Sequence, residues 1–194
     1  MRKIKILERL VSQYVKQNNS VSHDISHINR VRKYCKIIAK EERANIEIIE
    51  AAALIHDLSR DDSKHNHRHH RLSAVVGVNL LKKAGYDNTT RDKIIKCVNS
   101  HSRQSSILPI TIEEKVLFDA DKIDGLGHIG IARWFSVTGR ENINIRESAD
   151  LYLNELNKFY KRFGNLFTKT GSNLAKDKFI FSKNFAERIL EETN

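Results

Sequence analysis

The sequence predicts an all-α, single-domain fold, and three observations lead there. Turn-formers are scarce, with one Pro and eight Gly in 194 residues, while Lys, Glu, Leu, Ile and Ala are plentiful. Apolar residues recur at helical spacings of three and four along most of the chain. A hydrophobic content of 40% at this length supports one well-buried core.

Residues 2 to 18 form the first amphipathic helix, with Ile6, Leu7, Leu10, Val11 and Tyr14 on its apolar face. Asn18-Asn19-Ser20 breaks it. A second helix begins near Ser22 to Asp24 and runs to about Glu42, with His27, Val31, Tyr34 and Ile38 on one face. Asn45 caps a third helix ending at His56-Asp57. In it Ile46, Ile49, Ala53 and His56 share a face and Asp57 lies on the flank, so an imidazole and a carboxylate are driven inward.

Residues 59 to 71 contain no apolar member and read as a loop or the polar start of a helix. A fourth helix carries Val75, Val76, Val78, Leu80 and Leu81 and stops near Gly85. A fifth starts at Asn88 or Thr89, with Ile94, Cys97 and His101 on one face. Thr111-Ile112-Glu113-Glu114 has capping-box spacing and opens a sixth helix through Asp124, with Leu117, Asp121 and Asp124 on one side. Gly125 and Gly127 mark a turn into a helical stretch from Ile129 to Val137. Residues 139 to 145 form a loop, and two amphipathic helices follow at about 145 to 163 and 172 to 192.

The formal net charge is +10. A basic surface attracts nucleic acid, membrane or a phosphorylated small molecule, and it also describes a plain lysine-rich exterior. With 7% aromatics and no stacking motif, a dedicated nucleic-acid module is not favoured. The longest apolar run is too short to cross a bilayer, and the N-terminus lacks a signal-peptide core. Cys35 and Cys97 sit in apolar helical patterns and read as reduced core residues of a cytoplasmic protein.

Four predicted helices each place a ligand-type residue on an apolar face: His27, His56 with Asp57, His101, and Asp121. A buried carboxylate must be paired or hold a metal. Helical folds build metal centres from inward side chains on facing helices, and two imidazoles with two carboxylates suit a divalent transition metal that keeps open positions.

The order of these residues resembles the HD-domain superfamily of metal-dependent phosphohydrolases. The likeness rests on His23-Asp24-Ile25-Ser26-His27, on Leu54-Ile55-His56-Asp57, and on the stretch from Asp119 through Asp121, Lys122 and Asp124 to Gly127. Asn99-Ser100-His101-Ser102 and Ile129 to Arg133 extend it. It is similar above all to the small bacterial branch that includes nucleoside triphosphate pyrophosphohydrolases. The resemblance implies an HD-type helical bundle over 1–194, with a core at about 20–140 and the helices at 145–192 packed on it. It implies His27, His56, Asp57 and Asp121 as metal ligands, with His23 and Asp24 as capping or supporting groups. It also implies a second metal in some relatives, for which His69 or His70 with His101 are the candidates here.

The resemblance implies hydrolysis of a nucleotide or similar phosphorylated small molecule, with removal of pyrophosphate from a nucleoside triphosphate first. Monophosphate removal and cyclic-nucleotide opening are alternatives. Asp57 and His101 are the catalytic candidates. Arg60, Lys64, Arg71 and Lys122 are candidates to neutralise phosphate, and Asp124 to orient substrate or water. Imidazole-rich ligation favours Mn2+ or Fe2+, with Co2+, Ni2+, Zn2+ and Mg2+ as further candidates. Two other classes compete: a non-catalytic metal domain binding nucleotide or nucleic acid through its basic face, and a structural helical domain whose histidines satisfy one another.

Overall fold

The computed structural model describes residues 2–18, 25–59, 68–103, 105–163 and 166–193. Among them are nine α-helices and no strand, as composition and periodicity predict. The chain comprises two compact units, Met1–Asp121 and Lys122–Asn194.

In the first unit, α1 (Arg2–Asn18), α2 (Ile25–Glu41) and α3 (Ile46–Ile55) precede α4 (His69–Lys83) and α5 (Asn88–Ser100). α6 (Ile112–Asp124) carries the chain across the boundary at its last turn. α3 is the hub: it packs against α1, α2, α4 and α5. Its sequence explains that place, since every residue from Ile48 to Ile55 except Glu50 is buried. A short helix apolar all round is stable only when neighbours cover each side. Asn45 caps it as expected, its side chain accepting from the Ile48 N–H. The Asn45 N–H in turn donates to Glu113 Oε1 at 3.1 Å, tying the start of α3 to the start of α6.

α4 departs from the expected apolar face. Val75 and Val78 are exposed, and beyond the first turn Ser73, Ala74, Gly77, Leu80 and Leu81 are the buried members. Small residues face inward because α4 approaches α3 closely. A Cβ on Gly77 would lie 2.6 Å from Ile55 Cδ1. The expected capping box at α6 closes only halfway. The Glu114 N–H donates to Thr111 Oγ1, but the Glu114 carboxylate accepts from the Ile110 N–H, one residue earlier than the motif requires. Cys35 and Cys97 are free and buried, and burial pushes both thiols up.

In the second unit, α7 (Gly127–Arg140), α8 (Ile145–Phe163) and α9 (Lys169–Glu192) pack pairwise. α7 runs further and α9 starts earlier than the sequence suggests, because Thr168 caps α9 through the Gly171 N–H. Gly130 lets α7 fold back on the turn after α6, since a Cβ there would stand 2.2 Å from the Gly125 carbonyl. Ser182 Oγ accepts from the Gly127 N–H at 2.8 Å, and the Tyr152 hydroxyl lies 3.1 Å from the Gly125 carbonyl oxygen, so the turn is held from three sides.

Candidate metal centre

His56 and His101 are built alike. Each follows directly on the last residue of its helix, α3 or α5, where carbonyl groups lack intrahelical donors. Each ring folds back on the carbonyl three residues earlier: His56 Nδ1 to Ala53 O at 2.8 Å, His101 Nδ1 to Val98 O at 2.6 Å. A carbonyl only accepts, so Nδ1 carries the proton in both rings. In the neutral ring this leaves Nε2 as a lone pair. Burial holds the His56 imidazole neutral, its pKa lowered to about 4; His101 and His27 push the same way, while Asp57 and Asp121 oppose.

Both Nε2 atoms face other ligand-type groups. His56 Nε2 is 3.2 Å from His27 Nε2, 3.7 Å from Asp57 Oδ2 and 3.8 Å from Asp121 Oδ1. His27 Nε2 lies 3.5 Å from Asp57 Oδ2 and 3.6 Å from Asp121 Oδ1. These four side chains are buried and bring their ligand atoms within 4.8 Å of one another. All four lie in the first unit. Two carboxylates and two imidazoles, all out of water and converging, are a costly arrangement unless a cation stands among them. The donor set fits a divalent metal. Within it His56, like His101 of the neighbouring group, donates its other ring N–H to a backbone carbonyl, an arrangement that fixes a ligand's tautomer. The negative ends of α3 and α5 add to the field.

Asp57 is shared. Its Oδ2 faces the group just described, while Oδ1 lies 3.2 Å from His101 Nε2 and 3.5 Å from His69 Nε2. Asp57, His69 and His101 form a second buried group of ligand geometry. The choice between His69 and His70, open in the sequence, falls on His69. His70 is buried beside it with its ring edge-on at 5.6 Å between centroids, outside both groups. Its pKa is lowered to about 4, by burial first and then by His69.

The remaining candidates are scattered. Arg71 is exposed on the first turn of α4. Lys122 and Asp124 fall in the second unit, where Asp124 is buried and accepts from Arg133 Nη1 at 2.7 Å. His23, Asp24, Arg60 and Lys64 lie outside the described residues. Ser73 has a role the sequence did not reveal: its buried hydroxyl accepts from the Ser59 N–H at 3.0 Å, pinning the segment after Asp57 to α4.

A family model described as HD domain matches residues 24–126. The chain belongs to the HD domain family. Its match ends just past Asp121 and takes in every residue of both buried groups. The uncharacterised protein YpgQ of Bacillus subtilis is 29% identical over 199 residues, covering 97% of this chain and 94% of the relative. The crystal structure of YpgQ in complex with ADP superimposes with a TM-score of 0.77 at 26% identity, covering 99% of this chain and 97% of that one. An HD-superfamily hydrolase from Bacillus thuringiensis superimposes with a TM-score of 0.73 at 25% identity, covering 99% and 97%. With its buried His/Asp metal site, this HD protein is a metal-dependent phosphohydrolase of that superfamily. No helix among its described residues is long and apolar enough to cross a membrane.

Proposed function

We propose that His27, His56, Asp57 and Asp121 hold a divalent cation, Mn2+ or Fe2+, and that the enzyme hydrolyses a nucleoside triphosphate to the monophosphate and pyrophosphate. The convergence of these four buried side chains carries the reading. The ADP complex of YpgQ supports a nucleotide ligand. A bound divalent cation polarises a phosphoryl oxygen and lowers the pKa of a water.

The protein supplies the rest. Ala53 O fixes the His56 ring so that its lone pair meets the site. Asp57 accepts a proton or hydrogen bond from the attacking water through one oxygen, while the other lies 3.5 Å from His69 Nε2 and 3.2 Å from His101 Nε2. The water oxygen bonds to the α-phosphorus, the α–β anhydride bond breaks, and pyrophosphate leaves. With the first group alone filled, His101 is assigned to acid–base work beside Asp57, its Nε2 lone pair taking up a proton before handing it on. A second cation on Asp57, His69 and His101 makes it a ligand instead. Arg60, Lys64, Arg71 and Lys122 are assigned to the phosphates and Asp124 to orientation, each tested by single alanine variants for a rise in KM.

The deciding experiment takes protein stripped of metal, adds each divalent ion in turn, and identifies products from a panel of nucleotides. Pyrophosphate from triphosphates supports the assignment. Inorganic phosphate from monophosphates, or a linear product from cyclic nucleotides, replaces the substrate class. Turnover with none of the metals overturns it.

A further inference from the structure

α4 is apolar on two sides and covered on one. Inward, Gly77 closes on Ile55 of α3, and Ala74, Leu80 and Leu81 are buried with it. Outward, Leu72, Val75 and Val78 stand 45%, 65% and 40% exposed. A helix apolar all round is ordinarily covered all round, so the outward aliphatic side chains are out of place in water. Charge sits at both ends of the same face. Arg68 and Arg71 are exposed before the aliphatic stretch, and Lys82 and Lys83 after it. None of these four cations forms an ion pair among the described residues, and the helix contains no acid. Steps of three and four, through 68, 71, 75, 78 and 82, keep these groups on one side of the helix. From Arg71 to Lys82 the face runs about 16 Å at 1.5 Å per residue.

We propose that the outward face of α4 docks on an anionic lipid surface. The aliphatic side chains enter the acyl boundary and the cations meet headgroup phosphates, a peripheral contact that needs no spanning helix. Charge and composition decide among the occupants. A second copy is opposed, because two α4 helices laid together, parallel or antiparallel, set cation against cation at both ends. A protein partner fits less well. Interface cores are enriched in aromatic residues and Met and depleted in Lys, whereas this face has two lysines and neither an aromatic residue nor Met. Aliphatic side chains rimmed by unpaired cations, with no acid to repel the headgroups, match an anionic bilayer. α4 begins at His69, so the docking face and the second buried group share one helix. The inference does not depend on which phosphate bond is cut.

The test measures co-sedimentation of the full chain with phosphatidylcholine vesicles, with and without phosphatidylglycerol, and binding to poly-glutamate in a parallel arm. It compares the parent with Val75→Gln, with Lys82→Gln/Lys83→Gln, and with the control Lys161→Gln/Lys176→Gln. The control removes the same charge from exposed positions on α8 and α9. Every replaced side chain is exposed, and circular dichroism checks the fold. The expected result is binding to the anionic vesicles alone, weakened roughly tenfold or more by the α4 lysine pair and roughly threefold or more by Val75→Gln. The control stays within about twofold of the parent. A parent that binds neither vesicle or both alike overturns the proposal. So does equal loss in the control, or Val75→Gln binding as the parent does. Retention on poly-glutamate without vesicle binding gives the face to an acidic protein and overturns it as well. Hydrolysis of a mononucleotide by the parent, without vesicles, is scored separately. Its failure would remove the substrate assignment and leave the lipid result standing.

Discussion

His56 contributes to the acid sensitivity of the metal-free protein. Its ring is fully buried, and its pKa falls from an ordinary value near 6.5 to about 4. The folded value lies below the unfolded one, so the unfolded chain takes up the proton first as pH falls. The contribution to stability is fully present above about pH 6.5 and is lost as pH drops toward 4. A gap of about 2.5 units at about 1.4 kcal/mol per unit makes the whole effect roughly 3 kcal/mol, most of it gone by pH 4.5. In a chain of this size that corresponds to roughly 5–10 °C in Tm. Thermal melts of chelator-dialysed protein between pH 7.5 and 4.5, alongside His56→Gln, read it directly. The variant starts less stable, because the ring that satisfies Ala53 O is gone, but its Tm falls less steeply with acid. Parallel pH profiles for parent and variant would refute the reasoning.

Asp57→Asn removes the carboxylate common to both buried groups, so metal content measured by plasma spectrometry falls below that of Asp121→Asn, and turnover drops by about 10³-fold or more. Gly130→Ala forces a methyl group to within 2.2 Å of the Gly125 backbone and costs about 2–4 kcal/mol by denaturant unfolding, since backbone cannot swing aside as a side chain can. Arg133→Met removes the guanidinium that donates to the buried Asp124 carboxylate at 2.7 Å. Because the arginine is itself about a third exposed, the cost is reduced to about 1–3 kcal/mol, read as a shift in the urea midpoint.

The helices and the dyad were legible because hydrophobic period and caps are local signals. His56 could be placed from Ile49 and Ala53, although Ile46 at the head of that stripe is exposed, and Asp121 from its position on the face of Leu117. What the sequence left open needed distances between helices. His69 and His70 are neighbours with equal credentials on paper, and only the approach of α4 brings one ring rather than the other to Asp57. The partner of Asp124 is Arg133, nine residues on and across a turn, which spacing alone does not identify. Val75 and Val78 are apolar yet exposed because Ala74 and Gly77 take the side of α4 that closes on Ile55. The Glu114 carboxylate found Ile110 instead of Thr111, a one-residue slip that spacing alone does not resolve.

The close seat of Gly77 on Ile55 offers a mechanical handle on the centre that leaves every ligand in place. The clashing atom is the tip of a flexible side chain, so Gly77→Ala nudges α4 outward rather than unfolding it. Ile55→Val trims that tip and would restore the fit. The single and double replacements together form a ruler graded in methyl groups, set between the helix that ends at the dyad and the helix that begins at His69.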